Sequence, residues 1–173
     1  MNQLKLRVYP DPILTEISEP VTEFSDDLHQ FCVDMYDVMT RTNGVGLSAV
    51  QVGVLKRVIV MGVPKDAFGL FVPQHFIVNP EIVDQSEDLF KYSEGCLSVP
   101  EFFDDRLRPK RITLRYQRPK DGQYELKSFS NLEAFCIQHE MDHLEGKLFI
   151  DDLSPLKKDR IRKKIEKTRR KDK

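Results

Sequence analysis

From Ser25 to Thr42 the apolar residues Leu28, Phe31, Cys32, Met35, Val38 and Met39 recur at intervals of three and four, which predicts an amphipathic helix. Ser25 stands where a cap is wanted and Gly44 lies just past the end. The middle of the chain changes period. Val58 to Val63, Phe76 to Val78, and Ile82 with the stretch toward Tyr92 are short, β-rich and separated by proline or glycine, as strands are. Ile112, Leu114 and Tyr116 alternate with polar residues, Tyr124 and Leu126 follow, and Asp121-Gly122 between them predicts a hairpin turn.

A second helix is expected from about Asn131 to Glu145, with Ser130 and Glu133 at capping-box spacing and Gly146 as a left-handed end. At about 100° per residue, Leu132, Phe135, Cys136, His139 and His143 fall on one face, and Ala134, Ile137, Met141 and Leu144 on the opposite one. A helix apolar on two faces is buried. The last segment, Pro155 to about Arg170, has only Leu156, Ile161 and Ile165 as a thin apolar stripe, so it reads as a helix docked by one edge or not docked at all. This order predicts an α+β fold: antiparallel sheets around a buried central helix, an N-terminal amphipathic helix and a C-terminal basic helix.

Composition narrows the class. With 173 residues, 40% hydrophobic, 32% charged, and only 8 Gly and 10 Pro, the chain is neither disordered nor collagen-like. A chain of this length buries about 70% of its unfolded surface and needs no metal to hold a core, so any metal is functional. No linker or repeat divides it, and residues 1–153 are read as the body of one domain with residues 154–173 as a basic helical tail of that same domain. The tail carries 11 Lys/Arg against 3 Asp/Glu, a charge of +8, while the remainder carries −9. No apolar run is long enough to span a bilayer, the N-terminus lacks the apolar core of a signal peptide, and three cysteines form no disulfide spacing. A cytoplasmic protein without membrane attachment or sequence-specific nucleic-acid binding is expected.

The chemistry is concentrated in His139-Glu140-Met141-Asp142-His143. Histidines four apart on one helix face can present two nitrogens to one metal, with an acidic residue beside them as base. Glu140 and Asp142 flank the pair symmetrically. Glu140 has the extra methylene to reach a water and is the preferred base, which leaves Asp142 as a hydrogen-bond acceptor. Buried imidazoles and a carboxylate need a partner, and a divalent cation supplies one. For a third ligand, Cys136 shares the face but lies too far toward the helix N-terminus, and Cys32 sits on a core stripe. Among thiols that leaves Cys96, in EGCLSVP (94–100), while His75 and His29 are weaker candidates. The loop GVGLSAVQ (44–51) is not a phosphate loop, because no Lys-Ser/Thr follows its glycines. Its uses are close backbone approach and the Gln51 carboxamide as a hydrogen-bond donor.

These three segments, GVGLSAVQ, EGCLSVP and HEMDHLEG, resemble the peptide deformylase family in sequence and in order, and the resemblance extends from Leu6 to the basic tail. Ser48 and Val50 replace the loop's usual alanine and proline, and Phe103 stands where several bacterial relatives carry an arginine beside the groove. The resemblance implies removal of formyl from the formyl-methionine of nascent polypeptides, with Fe2+ as the usual metal and Zn2+, Ni2+ or Co2+ able to substitute. It implies Cys96, His139 and His143 as ligands, Glu140 as proton carrier, and Gln51 with the Leu97 backbone N–H as oxyanion donors. Leu132, Phe135 and Cys136 would floor a methionine pocket with Val45 as a wall, and the Val45-Gly46 backbone would pair with the extended peptide. The cationic tail would meet the phosphate-rich ribosome surface. The alternative is a zinc endopeptidase, which shares the helix motif but normally takes its third ligand from downstream.

Overall fold

The computed structural model describes residues 4–63 and 72–171. The first helix, α1, is Asp26–Arg41, and the Ser25 hydroxyl accepts the Leu28 N–H at 3.2 Å as a cap. Its buried stripe, Leu28, Cys32, Met35, Val38 and Met39, packs on strands β1 (Gly46–Ser48) and β2 (Val58–Val63). Strand β3 is Val72–Gln85, β6 is Arg111–Gln117 and β7 is Tyr124–Ser130, and the antiparallel five-stranded sheet has the order β1-β2-β3-β6-β7. Strands β4 (Leu89–Cys96) and β5 (Val99–Pro109) form a separate antiparallel ribbon. Gly122, at φ 67°, makes the β6–β7 turn as expected.

Two expectations for the strands are corrected. Phe76–Val78 and Ile82 belong to one strand, β3, because Asn79 at φ 49° and Pro80 form a bulge where the register shifts between Val78 and Glu81. The Asn79 side chain bonds both the N–H and C=O of Val21 at 2.8 Å, so the interruption is satisfied from outside the ladder. The stretch from Ile82 toward Tyr92 is divided at Ser86–Asp88, and its second half is β4 in the other sheet. The charged segment that becomes β5 had no strand reading at all.

The central helix, α2, is Leu132–Leu144. Its capping box does not form. Ser130 is still paired with Arg111 in the sheet, and Asn131 turns the chain at φ 52° with its N–H on the Lys110 carbonyl. The strand therefore runs straight into the helix through Asn131. Ala134, Ile137 and Leu144 pack toward the five-stranded sheet, while Phe135 stacks on Phe90 and Tyr92 of the ribbon at 5.6 and 5.1 Å. The last helix, α3 (Pro155–Lys171), is docked by one edge: Ile161 and Ile165 enter a core cluster with Leu14, Val99, Phe149 and Ile150, and Leu156 is exposed. Among the described residues no helix is long and apolar enough to cross a membrane.

Gly146 ends α2 at φ 67°, and a Cβ there would lie 2.5 Å from the backbone oxygen of Thr15. Neither the conformation nor the neighbouring backbone can yield cheaply. Gly146→Ala should lower the thermal midpoint by roughly 4–8 °C, measured by circular dichroism, and a shift under about 1 °C would contradict the assignment of that contact.

Candidate metal centre and cleft

Three donor atoms meet where α2 crosses the end of the ribbon. His139 and His143 lie one helical turn apart with ring centroids 4.9 Å apart, and the Cys96 Sγ is 3.2 Å from His143 Nε2. The donor atoms of Cys96, His139 and His143 all lie within 4.8 Å of one another. Cys96 reaches this point because the ribbon register shifts between Gly95 and Cys96, so that Cys96 pairs with Val99 across the turn at Leu97 and Ser98. Such a shift re-aims a side chain at a strand end.

Behind the donors stands a charged support. Glu94, buried two residues before Cys96, accepts from His139 Nδ1 at 2.9 Å, which leaves Nε2 as the free nitrogen of that ring. Arg108 bonds Glu94 through Nε and through Nη2, the latter at 2.9 Å, and Nη2 also reaches Asp142 at 2.8 Å. Burial raises the Glu94 carboxyl, but the Arg108 and His139 hydrogen bonds prevail and hold it at about 2, so it is ionised. Burial, with His139 and Arg108 nearby, keeps His143 well below its ordinary value, so its ring is neutral, the form that ligates metals. Burial also opposes charge on His139, while Cys96 and Glu94 draw its pKa upward.

The other motif residues gather around the donors. Gln51, 1% exposed, accepts at Oε1 from the Ser48 N–H (2.8 Å) and hydroxyl (2.9 Å). Its Nε2 is thereby turned to donate to the Ser98 hydroxyl at 3.1 Å and to reach the Cys96 thiol at 3.6 Å. Glu140 is buried beside them. Burial pushes its carboxyl up to about 7 against the opposing pull of His139 and the Ser48 hydrogen bonds, and its Oε2 has no partner among the protein groups. Gly46 permits this crowding, since a Cβ there would lie 2.4 Å from the Cys136 Sγ and 2.9 Å from Glu140 Oε1.

These groups open on a cleft of about 650 Å³. Val45, Gly46 and Leu97 line it, Leu132, Phe135 and Cys136 lie along it, and His139 and Glu140 close its inner end. Cys136 thus belongs to the cleft and lies outside the donor cluster, its thiol pushed well up by burial. Cys32 is core, His29 packs on Phe76 and His75 on Phe129, all apart from the cluster. Of the departures, Ser48 fixes Gln51, Val50 is buried, and Phe103 lies 73% exposed over Gly95 at the cleft. Sequence reasoning assigned no part to Glu94, Ser98 or Arg108. The spacing of Glu94 and Cys96, two apart in a strand, puts both on one face and was a usable signal. Arg108 had none, because its strand was not foreseen.

Comparison with known proteins agrees with this geometry. A family model described as polypeptide deformylase matches residues 3–159. A peptide deformylase of Phenylobacterium zucineum is 46% identical over 163 residues, covering 94% of this chain and 95% of that one, and one of Caulobacter vibrioides is 49% identical over 157 residues, covering 91% and 89%. The crystal structure of peptide deformylase from Ehrlichia chaffeensis superposes with a TM-score of 0.89 at 38% identity, covering 98% of each chain, and its complex with actinonin with a TM-score of 0.87 at 39% identity, covering 97% and 98%. Since the matched residues 3–159 hold the glycine loop, the ribbon end and the central helix together, the chain belongs to the polypeptide deformylase family.

Proposed function

We propose how this chain's residues carry out the reaction of its family, the metal-dependent removal of formyl from the N-terminal formyl-methionine of newly synthesised polypeptides, with release of formate. The reading rests on one observation above all: the Cys96, His139 and His143 donors converge within 4.8 Å with the Glu140 carboxyl buried alongside. Two neutral-capable imidazoles and a thiol fit a divalent metal, and we assign them as its three protein ligands, with ferrous iron as the native ion and Zn2+, Ni2+ or Co2+ as substitutes. A cation held there supplies Lewis acidity and makes water a nucleophile near neutral pH.

The chain's own groups do the rest. Glu140, poised at about 7, takes the proton of the attacking water at its unpartnered Oε2 and returns it to the leaving amine. The Gln51 Nε2 and the Leu97 backbone N–H donate to the oxygen that becomes negative, each such donor being worth on the order of 3 kcal/mol. Leu132, Phe135, Cys136 and Val45 receive the methionine side chain, whose unbranched thioether suits an irregular apolar cleft. The backbone at Val45-Gly46, where the edge strand β1 begins, pairs with the extended peptide without regard to later side chains. Asp142 acts at a distance, anchoring Arg108. An endopeptidase reading has no support from the family match, and its downstream third ligand is absent from the cluster among the described residues. The three cysteines are unpaired thiols, which supports a reducing compartment, and we place the enzyme in the cytoplasm.

Three variants test the site. Glu140→Ala should keep its fold and about one metal per chain while formate release from a formyl-Met peptide falls at least about 10²-fold. Cys96→Ala should lose the metal, whereas Cys136→Ala keeps it, by metal analysis of anaerobically prepared protein. Retained metal in Cys96→Ala, or an active Glu140→Ala, would overturn these roles.

The basic tail is proposed to dock on the ribosome, where phosphate binds cationic helices without sequence readout. Deleting it is a poor test, because Ile161 and Ile165 are part of the core. Changing the exposed Lys157, Arg160, Lys163 and Lys167 to glutamine should leave hydrolysis of a free peptide unchanged. Ribosome co-sedimentation should weaken, with a shallower dependence on salt. Unaltered co-sedimentation would remove the tail from this role.

A further inference from the structure

Lys164 stands on α3 next to the buried Ile165, and its ammonium leaves the tail for the cleft. The Nζ lies 3.1 Å from the Glu101 carboxylate and 4.9 Å from the centroid of the Phe102 ring. Both partners line the cleft. The neighbouring cations are otherwise engaged, Arg162 and Lys163 with Asp159 of their own helix and Lys158 with the Asp151 carbonyl. Among the described residues, Lys164 is the tail cation that spans to the cleft wall.

The wall it meets is a strained one. Glu101 has φ 66°, a conformation that side-chain-bearing residues adopt rarely and keep only where the surroundings hold them. It follows the turn at Leu97 and Ser98, and the ribbon register has just shifted there. Phe102 packs on the cluster that includes Ile161, Ile165 and Val99. The helix therefore holds this lip twice, by apolar contact under Phe102 and by one ammonium shared between a carboxylate and a ring face. The ion pair is exposed at both ends and weak alone, and the ring adds a cation–π contact to it.

We propose that Lys164 is a positioning residue that fixes Glu101 and Phe102 as the lip of the peptide cleft, so that the C-terminal helix sets affinity for the polypeptide substrate. The inference rests on the cleft being the seat of the formyl-methionyl peptide. The lip lies on the ribbon strand β5, and a loosened lip costs binding while leaving Glu140, Gln51 and the donor cluster in place.

Steady-state hydrolysis of a formyl-Met tripeptide tests this. Lys164→Ala should raise KM about three- to ten-fold with kcat within about two-fold. Lys164→Arg, which can pair with the carboxylate and stack on the ring, should restore KM, and Lys163→Ala should match the parent enzyme. Glu101→Ala should raise KM on its own, and Lys164→Ala should then add less than it does alone. Leu132→Ala, run alongside, separates the two levels. A raised KM there with an unmoved Lys164→Ala overturns the role of Lys164 alone, whereas an unmoved KM in both overturns the cleft assignment with it. A loss of kcat at unchanged KM in Lys164→Ala also overturns the inference.

Discussion

Burying two imidazoles and a carboxylate on one helix is the constraint from which the rest of this molecule follows. α2 is covered on one side by the five-stranded sheet and on the other by the β4–β5 ribbon, so His139, Glu140 and His143 are nearly removed from water. Unpaired, such groups cost several kcal/mol each. The Glu94–Arg108 pair answers that cost for His139 with an ionised carboxylate, and Arg108 extends the support to Asp142. Among these groups, the Glu140 Oε2 and the His143 Nδ1 are left without a protein partner.

The ribbon serves the same end from the other direction. Its register shift brings the Cys96 thiol to the histidines, and Glu94, two residues earlier, reaches the same face. The glycine loop completes the site through backbone proximity, since Gly46 lies against Cys136 and Glu140 at distances no side chain would allow. Ser48 holds both lone-pair sides of the Gln51 carbonyl, which points the amide nitrogen toward Cys96 and Ser98. An alanine there would leave only the backbone bond. The serine at this position therefore makes Gln51 more tightly oriented.

Much of this was legible in the residues. The period of three and four in α1, the Asp121-Gly122 turn and the two-faced apolar pattern of α2 carry their structures locally, and the histidine spacing carries two of the three donors of the candidate metal cluster. α2 starts where its pattern places it, but the capping box of Ser130 and Glu133 does not form, because pairing of Ser130 with Arg111 prevails over the local motif. Asn79-Pro80 reads as a strand break, but a side chain bonded to Val21 makes it a bulge. The β5 segment is dominated by charge, and of those charges Arg108 reaches the buried Glu94 while Arg106 reaches the Phe149 carbonyl and the exposed Asp152. Pairing across a fold that brings residue 108 to residues 94 and 142 leaves no periodic trace in the chain.

The central claim is that the Glu94 carboxylate, braced by Arg108, sets the His139 ring for its part in the donor cluster. The direct measurement is the Ni2+ affinity of Glu94→Gln against the parent protein, by competition with a chromophoric chelator, with circular dichroism verifying the fold. Loss of the charge at this supporting position should weaken Ni2+ binding about 10- to 100-fold in a protein that remains folded. An affinity equal to the parent's would contradict the account.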